Sequence, residues 1–172
     1  MACVHVAVES GAVVRCLFID YGQPSAVREE AAARDIARHF GIELSVVRVG
    51  GLQPLVAQSG FIMGRNMAFS LLALMDIREV PASVSIGIHS GTAYCDCSPR
   101  FVSLAQQAFD LYTGGKVTLV APFVTQDKVD IAIYCLRNRL PRELTYSCEL
   151  GLDQPCGRCA SCKDLLVLDP PE

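Results

Sequence analysis

The sequence predicts a parallel α/β sheet covered by helices on both faces, with a small four-cysteine appendage at its end. Three observations predict it. Strand-length apolar runs rich in β-branched residues alternate with helical stretches along most of the chain, the pattern of strand–helix–strand crossovers. The strand runs, such as "AVVRCLFIDYG", are nearly continuously apolar, as in strands buried on both sides. From Pro141 onward the character changes to a short, irregular, cysteine-rich tail. The expected division is therefore an α/β domain over 1–140 and a cysteine-rich appendage over 141–172.

The elements follow in order. Met1 to Ser10 fits either a strand or a helix, and a short helix closed by Gly11 is the preferred reading. Ala12–Gly22 is a buried strand. "SAVREEAAARDIARHFG" is a helix: Ser25 is placed to cap it, Ala32, Ile36, Ala37 and Phe40 share one face, and Gly41 ends it. "IELSVVRVG" is the next strand, and "PLVAQSGFIMG" reads as a loop. "RNMAFSLLALMDIREV" is an apolar, buried helix, and "ASVSIGIHSG" a third strand. "SPRFVSLAQQAFDLYTGG" is a helix with Ser98 as cap and Pro99 at its first position. "KVTLVAPFV" is a strand, and "TQDKVDIAIYCLRNRL" a last helix capped by Thr125. Crossovers in such a sheet are right-handed, and ligands gather at the carboxyl ends of the strands. Those ends are "DYGQPS", "GIHSGTAYCDC" and "APFVTQDK".

Composition narrows the function classes. The chain has 172 residues, 51% apolar, enough for a real core. Its formal charge of −3 gives no long-range attraction to nucleic acid or anionic lipid. No run of about 18 apolar residues is present to span a membrane. The N-terminal stretch lacks the basic start and cleavage site of an export signal, so a cytoplasmic protein is expected. Nine cysteines, an odd number, without an export signal argue against a disulfide framework. Cys3, Cys16 and Cys135 read as small buried hydrophobes.

Cys148, Cys156, Cys159 and Cys162 are separated by seven, two and two residues. A Cys-x-x-Cys turn brings two thiolates to one ion, and Gly157 suits the tight turn. Four thiolates satisfy the closed tetrahedral shell of structural zinc, which would supply the ordering free energy the tail lacks. The rival is an iron–sulfur cluster: Cys156, Cys159 and Cys162 match the first three positions of the ferredoxin pattern, but Leu166 stands where the fourth cysteine belongs. Free or redox thiols are the third reading. A closed four-thiolate shell points to a staple rather than to catalysis.

Other motifs are weaker. "TGGKV" resembles the end of a phosphate-binding loop, but Asp110 and Val117 occupy positions that need glycine and a hydroxyl residue, so Gly114–Gly115 is a helix end. Gly64, Arg65 and Asn66 precede a helix, where an anion site and an ordinary cap are both consistent. His39 is a helix-end residue, whereas His89 ends a strand at the expected ligand edge. Asp20 and Asp96 also sit at strand ends.

In this order, "FIDYGQ", "GRN", "GIHSGTAYCDCSPRF", "APF" with Lys128, then "SC" and "PCGRCASC" resemble the 7-cyano-7-deazaguanine synthase family of queuosine biosynthesis, or a diverged relative of it. The resemblance runs from about Leu17 to Cys162. It implies an adenine nucleotide alpha hydrolase-like, Rossmann-like fold of the ATP-pyrophosphatase type, bound zinc, ATP with Mg2+ as an accompanying ion, and a homodimer. It implies a ligase that converts 7-carboxy-7-deazaguanine and ammonia to the nitrile through an acyl-adenylate, with no direct nucleic-acid partner. Residue by residue, Cys148, Cys156, Cys159 and Cys162 match the family's zinc ligands. Tyr21, Gly22 and Gln23 match its nucleotide-side loop. Gly64, Arg65 and Asn66 match a motif near ATP or substrate. Asp96 and Cys97 match its "YPDC", with Cys95 for the proline, and Lys128 matches a phosphate-contacting lysine.

Two departures bear on activity. The family's glycine-rich "SGGxDS" pyrophosphate cradle has no counterpart here, and the resemblance places Met1 inside the family's first helix, past that loop. The family's first strand is then expected to be missing. A start placed too late and an inactive, zinc-stabilised binding or scaffold protein both account for this. In addition, His89 replaces an asparagine and the following loop is shorter, which fits relatives in bacterial defence systems that act on other substrates.

Overall fold

The structure, a computed structural model, describes residues 1–51 and 62–168. Its elements are α1 (Ala2–Glu9), β1 (Arg15–Asp20), α2 (Ala26–Phe40), β2 (Glu43–Arg48), α3 (Arg65–Met75), β3 (Ala82–Ser85), α4 (Pro99–Thr113), β4 (Val117–Val120), α5 (Lys128–Arg137), a 3-10 turn (Arg142–Leu144) and α6 (Ala160–Leu168). The chain divides into two compact units, Cys3–Ile62 with Cys135–Glu172, and Met63–Tyr134.

The first unit is built on β1–α2–β2. The two strands pair in parallel, Arg15 opposite Glu43 through Asp20 opposite Arg48. Parallel pairing needs a crossover, and α2 supplies it while packing on both strands. Gly41 ends α2 at φ +66, a left-handed conformation that glycine adopts without strain. Across the strand ends, the Arg48 guanidinium donates to Glu30 at 2.9 Å and lies 3.7 Å from the Asp20 carboxylate. At the other end of α2, Phe40 meets the His5 ring of α1, with centroids 6.3 Å apart.

The second unit repeats the plan with β3–α4–β4, where Ala82 pairs with Val117 through Ser85 with Val120, again in parallel. Its core is Val84, Ile88, Phe101, Ala105, Phe109, Val117 and Leu119, with Met67, Leu71, Leu74 and Ile77 packed against it. The spacing of Phe101, Ala105 and Phe109 puts all three on the buried face of α4. Gln106, next to Ala105 in the chain, satisfies the backbone of β4. Its carbonyl accepts from the Leu119 N–H at 2.7 Å and its amide donates to the Val117 carbonyl at 3.0 Å. That backbone hydrogen bonding would otherwise go unmade at a partly buried strand.

The α/β class and the parallel pairing agree with the sequence. The strands are shorter than their apolar runs, and the described residues form two parallel pairs. The loop expected over Pro54–Gly64 lies mostly outside the described residues. Ser98 caps α4 as expected, accepting from the Phe101 N–H at 3.2 Å. Two other expected caps do not form. Ser25 stands at the start of α2, but its hydroxyl donates to Glu29 at 2.7 Å instead of accepting from the backbone. Thr125 does not cap α5. Asp127 and Asp130 do so reciprocally, each carboxylate accepting from the other's N–H at 2.9 and 3.1 Å, an acidic form of the capping box. The tail is also less irregular than expected, since α6 follows directly on Cys159. Among the described residues, no helix is long and apolar enough to cross a membrane.

Candidate functional site

The four tail cysteines converge. Their sulfurs all lie within 4.8 Å of one another, and Cys148 and Cys162 are buried. A metal–sulfur distance of about 2.3 Å in a tetrahedral zinc site requires sulfurs about 3.8 Å apart. The Cys156 and Cys162 sulfurs are 3.8 Å apart. The turns aim amides inward: the Cys159 N–H donates to the Cys156 sulfur at 3.3 Å, and the Cys162 N–H to the Cys159 sulfur at 3.4 Å. Gly157 takes φ +67 at the tight turn between them. These donor atoms, spacings and amides fit a single tetrahedral metal ion and are consistent with zinc.

Electrostatics point the same way. Backbone N–H groups of Cys156 and Leu150 bring the Cys148 thiol down to about 6. N–H groups of Arg158 and Cys159 lower Cys156. Burial, reinforced by the neighbouring Cys159 thiol, raises Cys162 to about 12. Backbone amides thus favour the charged form at Cys148 and Cys156 while burial disfavours it at Cys162, and a bound divalent cation would relieve that conflict. Two further contacts brace the knot. The Glu149 carboxylate accepts from the Ser161 N–H and hydroxyl at 3.1 and 2.8 Å, tying the first ligand's loop to α6. The Tyr146 hydroxyl, raised to about 12 chiefly by burial, donates to the Leu152 carbonyl at 2.8 Å.

Also in the first unit, Tyr21, Gly22 and Gln23 form a self-bonded turn after β1. The Tyr21 N–H donates to the Gln23 side-chain oxygen at 3.0 Å, and the Gly22 N–H to Asp20 at 3.0 Å, with Gly22 at φ +84. Gln23 is buried, and its amide donates to Glu29 at 2.9 Å. Its side chain shapes the turn from within.

In the second unit the structure joins two motifs that are 30 residues apart. The Asn66 amide donates to the Asp96 carbonyl at 3.1 Å and points at the Cys97 sulfur at 3.7 Å. Gly64 begins α3 at φ +76, where the lack of a side chain permits the left-handed entry that puts Arg65 and Asn66 in the first turn. In the loop after β3, Ser90 donates from both its N–H and its hydroxyl to the Gln126 carbonyl, each at 2.8 Å, tying that loop to the one that leads into Lys128. Lys128 is the first residue of α5. The His89 Nδ1 accepts from the Gly91 N–H at 3.1 Å, which fixes the ring within its loop.

Sequence reasoning missed Glu149, which carries no motif, and Thr92. The Thr92 hydroxyl, in the loop after β3, is buried with no hydrogen-bond partner among the described residues.

Two parallel crossover units with polar loops at their strand ends, and a tail whose four thiols can hold a metal ion, define the class: an α/β protein with a four-cysteine tail fit for a metal ion. The family profile described as "Queuosine biosynthesis protein QueC" matches residues 51–165. A 7-cyano-7-deazaguanine synthase of Methanoculleus marisnigri is 31% identical over 185 residues, covering 92% of this chain and 83% of the relative. The chain belongs to the QueC family, that of the 7-cyano-7-deazaguanine synthases. Synthases of the same name from Gloeothece citriformis and Synechococcus elongatus are 29% and 31% identical, covering 92% and 91% of this chain and 80% of each relative.

Proposed function

We propose that the chain acts in ATP-dependent conversion of 7-carboxy-7-deazaguanine and ammonia to 7-cyano-7-deazaguanine, as a carbon–nitrogen ligase of ATP-pyrophosphatase type. The observation that supports this reading best is the Asn66 link to Asp96 and Cys97, which joins two of the family's motifs at the strand ends where α/β proteins bind ligands. A carboxylate is unreactive toward ammonia because its oxygen leaves poorly. Attack of that carboxylate on the α-phosphate forms an acyl-adenylate and releases pyrophosphate. Ammonia displaces AMP to give the amide and loses a proton. A second adenylation, on the amide oxygen, releases a second pyrophosphate, and AMP then leaves as the nitrile forms, both amide N–H protons having departed.

In this reading Lys128 and Arg65 offset phosphate charge, and Asp96 takes up a substrate N–H or a proton. Asn66 sets the Asp96 loop. The Thr92 hydroxyl gains its missing partner from bound substrate. The Tyr21–Gln23 turn presents backbone to the nucleotide. The tail metal is zinc, and with four thiolates around it no coordination position is left for substrate, so its contribution is structural.

The family's cradle for pyrophosphate is a Ser-Gly-Gly-x-Asp-Ser loop, and that sequence does not occur within the 172 residues. The second reading is a zinc-stabilised binding or scaffold protein of the same fold. One experiment separates them: pyrophosphate release from ATP with the carboxylate and ammonia, measured on the 172-residue chain and on a chain extended in frame by a strand and that loop. The ligase reading expects release that rises steeply with the extension. No release from either protein would leave the scaffold reading.

A further inference from the structure

We infer that Gly151 is a positioning residue through which the metal knot clamps the Tyr21–Ser25 turn. Gly151 lies three residues past the ligand Cys148, and its N–H donates to the Cys148 carbonyl at 3.3 Å. Its φ is +69, and its α-carbon sits directly against the turn. A β-carbon added there would run into the Pro24 carbonyl oxygen, and would stand 2.8 Å from the Pro24 carbonyl carbon and 3.1 Å from the Ser25 α-carbon. All three are backbone atoms, which cannot swing aside as a side-chain tip would.

Two residues on, Asp153 pairs with Arg28 in the first turn of α2. The turn is thus held from both sides. Glu29 grips Gln23 and Ser25 from α2, and the loop that follows the first metal ligand presses on Pro24 from the tail. The metal fixes where Cys148 lies, Cys148 fixes where Gly151 lies, and Gly151 fixes the height at which Tyr21, Gly22 and Gln23 are presented. The coupling runs through packed backbone rather than through a flexible side chain. It gives a structural metal a function-bearing output, control of a loop rather than mere retention of a tail. The effect on nucleotide handling rests on the function proposed above, but the clamp itself does not.

The fold contains its own control. Gly157 lies in the same knot at φ +67, and a β-carbon there meets nothing within 4 Å. Gly151→Ala and Gly157→Ala therefore impose the same left-handed backbone cost, but only the first drives an atom into the turn.

The test is amide hydrogen exchange on the full chain carrying zinc, followed at Tyr21, Gly22 and Ala26, whose N–H groups are bonded within the turn. Gly151→Ala is expected to speed exchange at these amides about tenfold while leaving β1 unchanged, and Gly157→Ala, with one zinc per chain verified by elemental analysis, is expected to leave the turn as in the parent. Asp153→Lys keeps both glycines, sets like charges together at Arg28, and is expected to speed the same amides several-fold. Equal exchange in the parent, Gly151→Ala and Asp153→Lys proteins would overturn the proposal. Since this readout requires no turnover, it stands apart from any failure of the ligase reading.

Discussion

Replacing Asn66 with alanine separates a site role from a core role. The amide makes one good hydrogen bond, to the Asp96 carbonyl at 3.1 Å, and one weak contact, to the Cys97 sulfur at 3.7 Å. Loss of one such neutral bond costs about 1 kcal/mol, and the half-buried setting lets water take up part of the deficit. For a chain of this size that is a fall of about 2–4 °C in Tm. Catalysis is more sensitive, because Asp96 would no longer be held to its loop geometry, and a displacement near 1 Å can cost about 100-fold. The assay pairs calorimetry with pyrophosphate release in the loop-extended chain. A small Tm change with a large loss of rate is expected. A Tm drop well beyond 10 °C, or an unchanged rate, would refute the assignment of Asn66 to the site.

Three further outcomes follow from the geometry. Cys159→Ser is expected to abolish stoichiometric zinc by elemental analysis and to expose the tail to protease, since structural zinc contributes on the order of 10 kcal/mol to such folds. Asp127→Ala removes one half of the reciprocal cap of α5 and is expected to cost about 1 kcal/mol in chemical denaturation, whereas Thr125→Ala is expected to change little. Outside the knot, the exposed Cys95 is expected to react first with a thiol reagent near neutral pH. Burial raises the pKa of Cys16 and Cys135, so less of each is thiolate at any given pH and both are expected to react slowly.

What the sequence made legible was what local pattern encodes. The apolar runs around Leu17–Ile19 and Val117–Val120 are strands, and the spacing of Phe101, Ala105 and Phe109 is a helix face. The cysteine spacing announced the candidate metal site because its four thiols lie within one short stretch. The errors came where local options competed. Ser25 precedes α2 as a cap should, but Glu29, four residues on, captures its hydroxyl. Thr125 lies two residues too early to cap α5, which starts at Lys128 where Asp127 and Asp130 exchange hydrogen bonds. Gly151 was beyond reach: a glycine in a tail looks like any turn glycine until Pro24, distant in sequence, is brought against it. The link from Asn66 to Asp96 is of the same tertiary kind, although the motifs containing both residues stood out.

The most direct test of the account follows the atom that the chemistry transfers. Isotopically labelled ammonia, ATP and 7-carboxy-7-deazaguanine would be incubated with the loop-extended chain, and the products read by mass spectrometry. The account predicts the label in a nitrile, with pyrophosphate and AMP released alongside it. Unlabelled carboxylate recovered intact, from a protein that is folded and zinc-loaded, would contradict it.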